Sequence, residues 1–486
     1  MSKRAIAIVA LAVASVLGAP TAASATGAPP PVSQTGKWMT DGQGRVVILH
    51  GLNQVFKVPP YEPSADGFGD DDATFLAANG FNAVRVGVIW AGVEPQPGVY
   101  DDAYLDSIAA TVNTLAAHGI SSLLDFHQDL YNEMFQGEGA PAWATQSGGL
   151  LNPNLGFPFN YFGNLAEDHA WDQFWKNAPA PDGVGLQNHF AAAWKHVAQK
   201  FHNDPAVLGY ELLNEPWPGT LWEPCAIPLL GCPLFDGGPL TSFYKRVTAA
   251  IRTVDPTKTI WFEPTTLFGT VDANSVGSLG DPHTGFAFHI YCATEAETGD
   301  NSLCAPLDDL TFATAQNYAN ARKIPSLMTE FGATNDLPNV QSTVTRADKN
   351  MVGWLEWAYT GNDKTSASPD GQALVLDPNQ PPTGANVLTA KLKVLAEPYP
   401  QAIAGTPTGW SFSKGVFKLS YSTTRVGGIA RFPAGSVTQV AVPPIQFPHG
   451  YTVQATGAQA TTVGNTLQLS SLDGAATVSV TVTANP

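Results

Sequence analysis

Charge is scarce in this sequence. Of 486 residues only 13% are Asp, Glu, Lys or Arg, and the 24 basic residues are outnumbered by 41 acidic ones. The formal net charge of −17 removes the attraction on which binding to nucleic acid depends. The surface must therefore rely on Ser, Thr, Asn, Gln and Gly, which suits an exported, carbohydrate-facing protein as well as it suits ordinary solubility. Cysteine is equally sparse, with Cys225, Cys232, Cys292 and Cys304 the complete set. Neither close pair has the C-x-x-C spacing of a structural zinc site and both lie in Pro/Gly-rich sequence, so metal ranks well below disulfide formation. No apolar run is long enough to span a bilayer comfortably, and no Cys follows the N-terminal run to carry a lipid anchor.

That N-terminal run has a different reading. Lys3 and Arg4 precede apolar residues from Ala5 to Leu17, and Ala23-Ser24-Ala25 closes the segment, as in an export signal cleaved after Ala25. A secreted, extracellular product is the expectation, with a net charge of −19 once those two bases are gone. Export makes disulfides permissible. Four cysteines allow three connectivities, and the two sequence-local pairs, Cys225 with Cys232 and Cys292 with Cys304, are favoured.

The length exceeds the size at which one core stops growing, so a large domain with a smaller companion is expected. From about Val46 short apolar runs alternate with amphipathic stretches, the pattern of parallel β/α units. Strand candidates are Val46–Gly51, Ala83–Val88, Ser122–Phe126, Leu208–Leu213, Thr259–Glu263, Phe286–His289, Ser326–Thr329 and Gly353–Trp357. Eight strands match a closed (β/α)8 TIM barrel. Between them Leu105-Ile108-Val112-Leu115 and Ala191-Trp194-Val197-Phe201 recur at three- and four-residue intervals, each one apolar stripe of a helix. After Pro398-Tyr399-Pro400 the periodicity becomes two, as in the run from Ala476 to Val482, which predicts a small all-β sandwich. The expected division is a signal peptide over 1–25, the barrel over 26–400 and the sandwich over 401–486.

Reactive residues of such a barrel sit at the C-terminal ends of its strands, where the loops converge on one mouth. The fourth candidate strand leads into Asn214-Glu215-Pro216 and the seventh into Thr329-Glu330-Phe331-Gly332, so two carboxylates reach one mouth from opposite sides. Hydrolysis of an acetal with retention needs such a pair roughly 5–5.5 Å apart, one to protonate the departing oxygen and one to attack the anomeric carbon. Two acids at strand ends beside Asn214, His289 and Tyr291 are costly to bury without purpose. Glu263, at the end of the fifth strand, is a third carboxylate, read as peripheral binding or a structural ion pair. His196 and His283 are read as structural.

With these residues in place, the chain resembles glycoside hydrolase family 5 from roughly Gly36 to Pro400. The resemblance implies Glu215 as acid/base and Glu330 as nucleophile, with no cofactor and no metal. It further implies that Arg85 and Tyr291 hydrogen-bond the nucleophile, that Asn214 holds a sugar 2-hydroxyl, that His127 and His289 line the catalytic subsite, and that Trp357 forms its floor. Within the family the sequence is most similar to endoglycoceramidases, through Asp125-Phe126-His127-Gln128-Asp129, Asn53-Gln54-Val55-Phe56-Lys57, Gly137-Glu138-Gly139-Ala140-Pro141-Ala142-Trp143 and Pro398-Tyr399-Pro400-Gln401-Ala402-Ile403-Ala404-Gly405. Lys57 and Asp129 then bind sugar hydroxyls, or pair with each other.

The implied partner is a glycosphingolipid at a membrane or micelle surface, and a monomer is the expected state. An enzyme that takes ceramide needs apolar surface beside its acid/base. Leu150 to Phe162 is one candidate wall. The second follows the proposed acid and holds Trp217, Leu221, Trp222, Ile227, Leu229, Leu230, Leu234 and Phe235, with Cys225 and Cys232 stiffening it. Either loop can instead form a satellite core under its own backbone. The rival activities are a cellulase or β-glucosidase of the same family and a glycolipid-binding protein without catalysis.

Overall fold

The computed structural model describes residues 27–227, 230–270, 273–292, 295, 300–361 and 372–486. The expected export signal and Leu229 lie outside the described residues. Eight parallel strands close a barrel in chain order: His50–Gln54, Ala83–Val88, Ser121–Phe126, Val207–Glu211, Thr259–Phe262, Thr284–Ile290, Ser326–Phe331 and Gly353–Glu356. Trp354 pairs with His50 to complete the ring. The two predicted helical stripes lie on Asp102–Ala117 and Leu186–Phe201, and all eight stripe residues are buried. The first of these helices is capped by Asp101, whose side chain accepts from the backbone N–H of Ala103 and Tyr104.

Two antiparallel sheets follow as a sandwich. One holds Thr406–Ser413, Val416–Ser422, Thr477–Ala484 and Tyr451–Thr456; the other holds seven strands, including Tyr399–Ile403, Val437–Ala441 and Thr466–Ser471. Val478, Val480 and Val482 point into the shared core while Thr477 and Ser479 stay wet, the alternation the sequence predicts.

The first barrel strand departs from the sequence reading. It begins at His50, and Val46–Val47, expected to open it, instead belongs to the sandwich together with Val32–Thr35 and Trp38–Asp41. That sheet thus draws strands from inside the 26–400 stretch, and Tyr399–Ile403 runs across position 400. The reason lies in the segment's two faces. Val46 and Ile48 enter the sandwich core, whereas Val47 and Leu49 join Leu123, Leu208, Trp261 and Leu327 in a separate cluster with residues of the barrel strands. Each face meets a different domain, so the run is apolar throughout and carries no alternation to mark the break.

Both sequence-local disulfides form, with Cα–Cα distances of 4.4 Å for Cys225–Cys232 and 5.2 Å for Cys292–Cys304. Among the described residues no helix is long and apolar enough to cross a membrane.

Candidate active site

Arg85 organises the barrel mouth. It sits in the middle of Ala83–Val88 with no exposed side-chain surface, so its charge must be met by carboxylates from neighbouring strands. Four meet it: Glu211 at 2.7 Å, Asp125 at 3.1 Å, Glu263 at 3.3 Å and Glu330 at 2.5 Å. The guanidinium also donates to Asn53 Oδ1 at 3.1 Å and Asn214 Oδ1 at 2.8 Å. Burial alone would weaken its charge, but the carboxylates outweigh burial and hold the group well above its ordinary pKa. Among those acids Glu263 is pushed well above the carboxylate range, by burial first and by the Glu211 charge next.

Glu330 ends its strand with one oxygen on Arg85 and the other accepting from the Tyr291 hydroxyl at 2.8 Å. Burial pushes this carboxyl up, yet the charges of His289, Arg85 and His127 together with the Tyr291 hydrogen bond win, and it lies below its usual range. Glu215 faces it. His289 Nδ1 lies 2.8 Å from Glu215 Oε1 and 3.5 Å from Glu330 Oε2, and one oxygen from each carboxylate together with a ring nitrogen of His289 fit within 4.8 Å of one another. Such an approach lies on the side of the roughly 5–5.5 Å of a retaining pair rather than the about 6.5–9.5 Å of an inverting one. Burial would lower the imidazole's pKa, but the Glu330 and Glu215 carboxylates outweigh it and hold His289 above its ordinary value.

A second group lies along the same mouth. His127 donates or accepts through Nδ1 at 2.7 Å from Asp125, and its ring stacks on Trp357 at 5.1 Å with an interplanar angle of 12°. The Lys57 ammonium contacts Asp129 directly and lies 4.3 Å from the Trp357 ring centroid. The pairing of Lys57 with Asp129 is thus present, and Lys57 also lies over the Trp357 ring. Burial opposes the His127 charge, but the hydrogen bond to Asp125 and the Asp129 carboxylate 3.8 Å from Nε2 overcome it and raise the pKa to about 9. All ten sequence-predicted site residues therefore fall in one connected constellation. Asn214 turns its side-chain N–H toward the Gln128 carbonyl at 2.9 Å.

Several functional neighbours escaped the sequence reading. Glu211 bridges Arg85 and the Thr329 hydroxyl, the latter at 2.8 Å. Glu263 did not escape it: of the two roles expected for it, peripheral binding or a structural ion pair, the carboxyl makes the ion pair with Arg85 and also accepts the Glu215 backbone N–H at 3.1 Å. Gln128 donates to the carbonyls of both Asn214 and Glu215 at 3.0 Å. Glu138 stands 4.0 Å from both Lys57 and His127. The available signal was an acid or amide within an otherwise apolar strand or buried loop, which must have a partner.

Three acid and histidine groups have the spacing of metal ligands: His127–Asp129–Glu138, Glu211–Glu263–His289 and Glu215–His289–Glu330. Protein cations already meet these carboxylates: Lys57 in the first, Arg85 in the second, and in the third Arg85 on Glu330 with His289 on Glu215. The loops beside Glu215 divide. Tyr161, Trp217 and Phe235 are buried in the main apolar core of the barrel, while Leu151, Phe159, Leu230 and Leu234 are 74%, 58%, 59% and 81% exposed. The two loops touch, with the Phe162 ring 5.3 Å from Trp222 and 5.4 Å from Trp217.

Comparison with known proteins agrees with this geometry. The family description "Cellulase (glycosyl hydrolase family 5)" matches residues 42–363, and "Glycoside hydrolase family 5 C-terminal domain" matches residues 398–483. Endoglycoceramidase I of Rhodococcus hoagii (strain 103S) is 32% identical over 440 residues, covering 88% of this chain and 82% of the relative. Endo-glycoceramidase II from Rhodococcus sp., solved as a lactosyl-enzyme intermediate, superposes with a TM-score of 0.75 at 28% identity over 92% of this chain and 99% of that one. Its ganglioside GM3 complex gives 0.75 at 27% identity over 93% and 100%. The chain belongs to glycosyl hydrolase family 5 and is a glycoside hydrolase.

Proposed function

We propose that this enzyme cleaves the β-glycosidic bond between oligosaccharide and ceramide in glycosphingolipids by double displacement. Glu330 attacks the anomeric carbon and Glu215 serves as acid and then base. The observation that carries the reading is the close Glu215–Glu330 pair with an exposed apolar surface on the loop that follows Glu215. Support also comes from the relatives, one of which has been solved with ganglioside GM3 and as a lactosyl-enzyme.

In the first step the Glu330 carboxylate, kept ionised by Arg85, His289 and Tyr291, forms the glycosyl ester as Glu215 gives its proton to the ceramide oxygen. Esterification removes the Glu330 charge at the moment Glu215 acquires one. His289 contacts both carboxylates, so its charge faces an anion in either state. In the second step Glu215 takes a proton from water, which opens the ester and frees the sugar. Lys57, Asp129 and His127 offer charged hydrogen-bond partners to sugar hydroxyls above the Trp357 ring, with Asn214 assigned the 2-hydroxyl. Leu151, Phe159, Leu230 and Leu234 form the apolar side for the aglycone. We further propose that the enzyme is exported through its N-terminal segment, acts outside the cell as a monomer at a lipid surface, and needs no cofactor.

Mass spectrometry of products from a panel of glucosyl- and galactosyl-linked glycosphingolipids, alongside a soluble β-glucan, tests this reading. Intact oligosaccharide with free ceramide is expected. Stepwise loss of terminal sugars, or turnover confined to the glucan, overturns it.

A further inference from the structure

The acid/base loop is held by a helix that no part of the chemistry requires. Glu215 occupies the left-handed backbone region with φ of 43°, a conformation that a side chain with a Cβ keeps only where its surroundings impose it. The chain then runs through Pro216 and Pro218, neither of which has an N–H with which to build a turn. On the barrel side, Glu263 accepts the Glu215 N–H and Gln128 donates to its carbonyl. These two bonds fix one edge of the peptide and leave the other to whatever packs outside.

That outer partner is the helix Leu165–Trp175. Asp168 accepts the Trp217 indole N–H at 2.8 Å, and Trp175 donates its own indole N–H to the Trp217 carbonyl at 2.8 Å. Asp172 receives the Thr220 backbone N–H at 3.2 Å and its hydroxyl at 2.9 Å. Residues 168, 172 and 175 are spaced i, i+4, i+7, so they form a single stripe of the helix and grip consecutive parts of one loop. The approach is close: a Cβ on Gly219, whose φ is +65°, would lie 2.5 Å from Asp172 Oδ1. Trp217 is fully buried, so its indole and carbonyl would be orphaned without these partners.

We infer that Asp168, Asp172 and Trp175 are positioning residues that hold the carboxyl of Glu215 at the aglycone oxygen. The inference rests on the acid/base reading of Glu215. Proton transfer needs hydrogen-bond reach, and a shift of about 1 Å at a reacting group can cost roughly a hundredfold. Loss of the stripe therefore slows the step that needs the acid and spares the step that does not.

The test compares Asp168→Ala/Asp172→Ala, Asp168→Asn/Asp172→Asn and Glu215→Ala, each in the full chain. Asn keeps a carbonyl for the donated N–H groups, and its amide can donate to the Thr220 hydroxyl. For the Ala pair, kcat/KM on a glycosphingolipid is expected to fall about tenfold to a hundredfold. On a 2,4-dinitrophenyl glycoside, whose leaving group needs no proton, kcat/KM should hold. Azide, a nucleophile that needs no base, should raise kcat on that aryl substrate and yield a glycosyl azide. The Asn pair should restore wild-type behaviour, and Glu215→Ala should show the same pattern in full. An equal loss on both substrates, no azide effect, or no restoration by Asn overturns the clamp while Glu215→Ala still behaves as described. If Glu215→Ala itself lacks the pattern, the acid/base reading falls instead. Should the Ala pair fail to fold, Trp175→Phe and Thr220→Val each remove one bond. A glycolipid-specific loss of about threefold, in proportion to one weakened contact, supports the clamp, and unchanged rates in both overturn it.

Discussion

Tyr291→Phe removes one atom from the site and tests the electrostatics of Glu330 directly. The lost hydroxyl donates to Glu330 Oε2 at 2.8 Å and is one of the forces that hold the carboxyl below its usual range. A hydrogen bond to a charged group contributes about 1.5–3 kcal/mol, and about 1.4 kcal/mol corresponds to one pK unit. The Glu330 pKa should therefore rise when the bond is lost. Glu330 must be ionised to attack, so activity disappears as pH falls through its pKa, and the acid limb of kcat/KM moves to higher pH. The assay is kcat/KM against pH with a 2,4-dinitrophenyl glycoside, which removes the demand for Glu215 as acid. Because the bond is made to the charged ground state, its loss alone does not slow attack above the limb. Any fall on the plateau measures what Tyr291 adds in the transition state. An acid limb that stays in place while the plateau drops would refute the assignment of Tyr291 to the nucleophile's charge.

Other expectations concern stability and substrate class. Arg85→Met leaves four buried carboxylates without their guanidinium and should destabilise the fold by about 3–5 kcal/mol, read by urea unfolding; a midpoint near that of the parent would contradict the charge network. His127, raised from 6.5 to about 9, contributes stability that is complete below pH 6.5 and is lost as pH rises through about 9. His127→Gln should flatten that alkaline decline in melting temperature, and a decline of undiminished slope would place its origin elsewhere. Leu151→Ser, Phe159→Ser and Leu234→Ser combined should lower kcat/KM on glycosphingolipid vesicles by about tenfold or more, since each exposed apolar side chain can gain up to about 1.5–3 kcal/mol on burial. The same triple variant should leave the aryl glycoside rate alone, and a loss on both substrates would show that these residues support the fold.

The barrel was legible because its strands and helices differ in period. Leu105, Ile108, Val112 and Leu115 repeat as a helix and are buried as one, and the strand Ala83–Val88 has the bounds the sequence predicts. The segment around Val46 was not legible for the opposite reason. Two domains press on its two faces, so the apolar pattern that marks a single buried strand also describes a crossing between cores. Only the pairing of Val46–Val47 with Ile403 and Ala402 reveals which sheet owns it. The helix Leu165–Trp175 was missed too, because its working face is polar and aromatic. Asp168, Asp172 and Trp175 serve a loop 42 to 49 positions away, and no local spacing encodes that partner.

Residues at strand ends could be read because chain order alone brings them to one mouth. Those within strands need a count of charge. Asp125, Glu211 and Glu330 face the cations Arg85, His127 and His289, while Glu263 is pushed toward its protonated form. Buried acids and cations thus face one another across the mouth, and Lys57, Asp129 and Glu138 extend the same network beside His127. In such a network a change of charge on one acid is felt by its neighbours. In the proposed reaction, esterification of Glu330 removes one negative charge, and the carboxylate left on Glu215 replaces it beside His289 at 2.8 Å. The buried acids that the sequence reading passed over thus have a physical reason to be there: they set the background charge against which nucleophile and acid/base exchange roles. Replacing Glu211 with Gln would make the background one unit more positive, which should lower the Glu330 pKa further and move the acid limb of kcat/KM to lower pH, opposite to the shift expected for Tyr291→Phe.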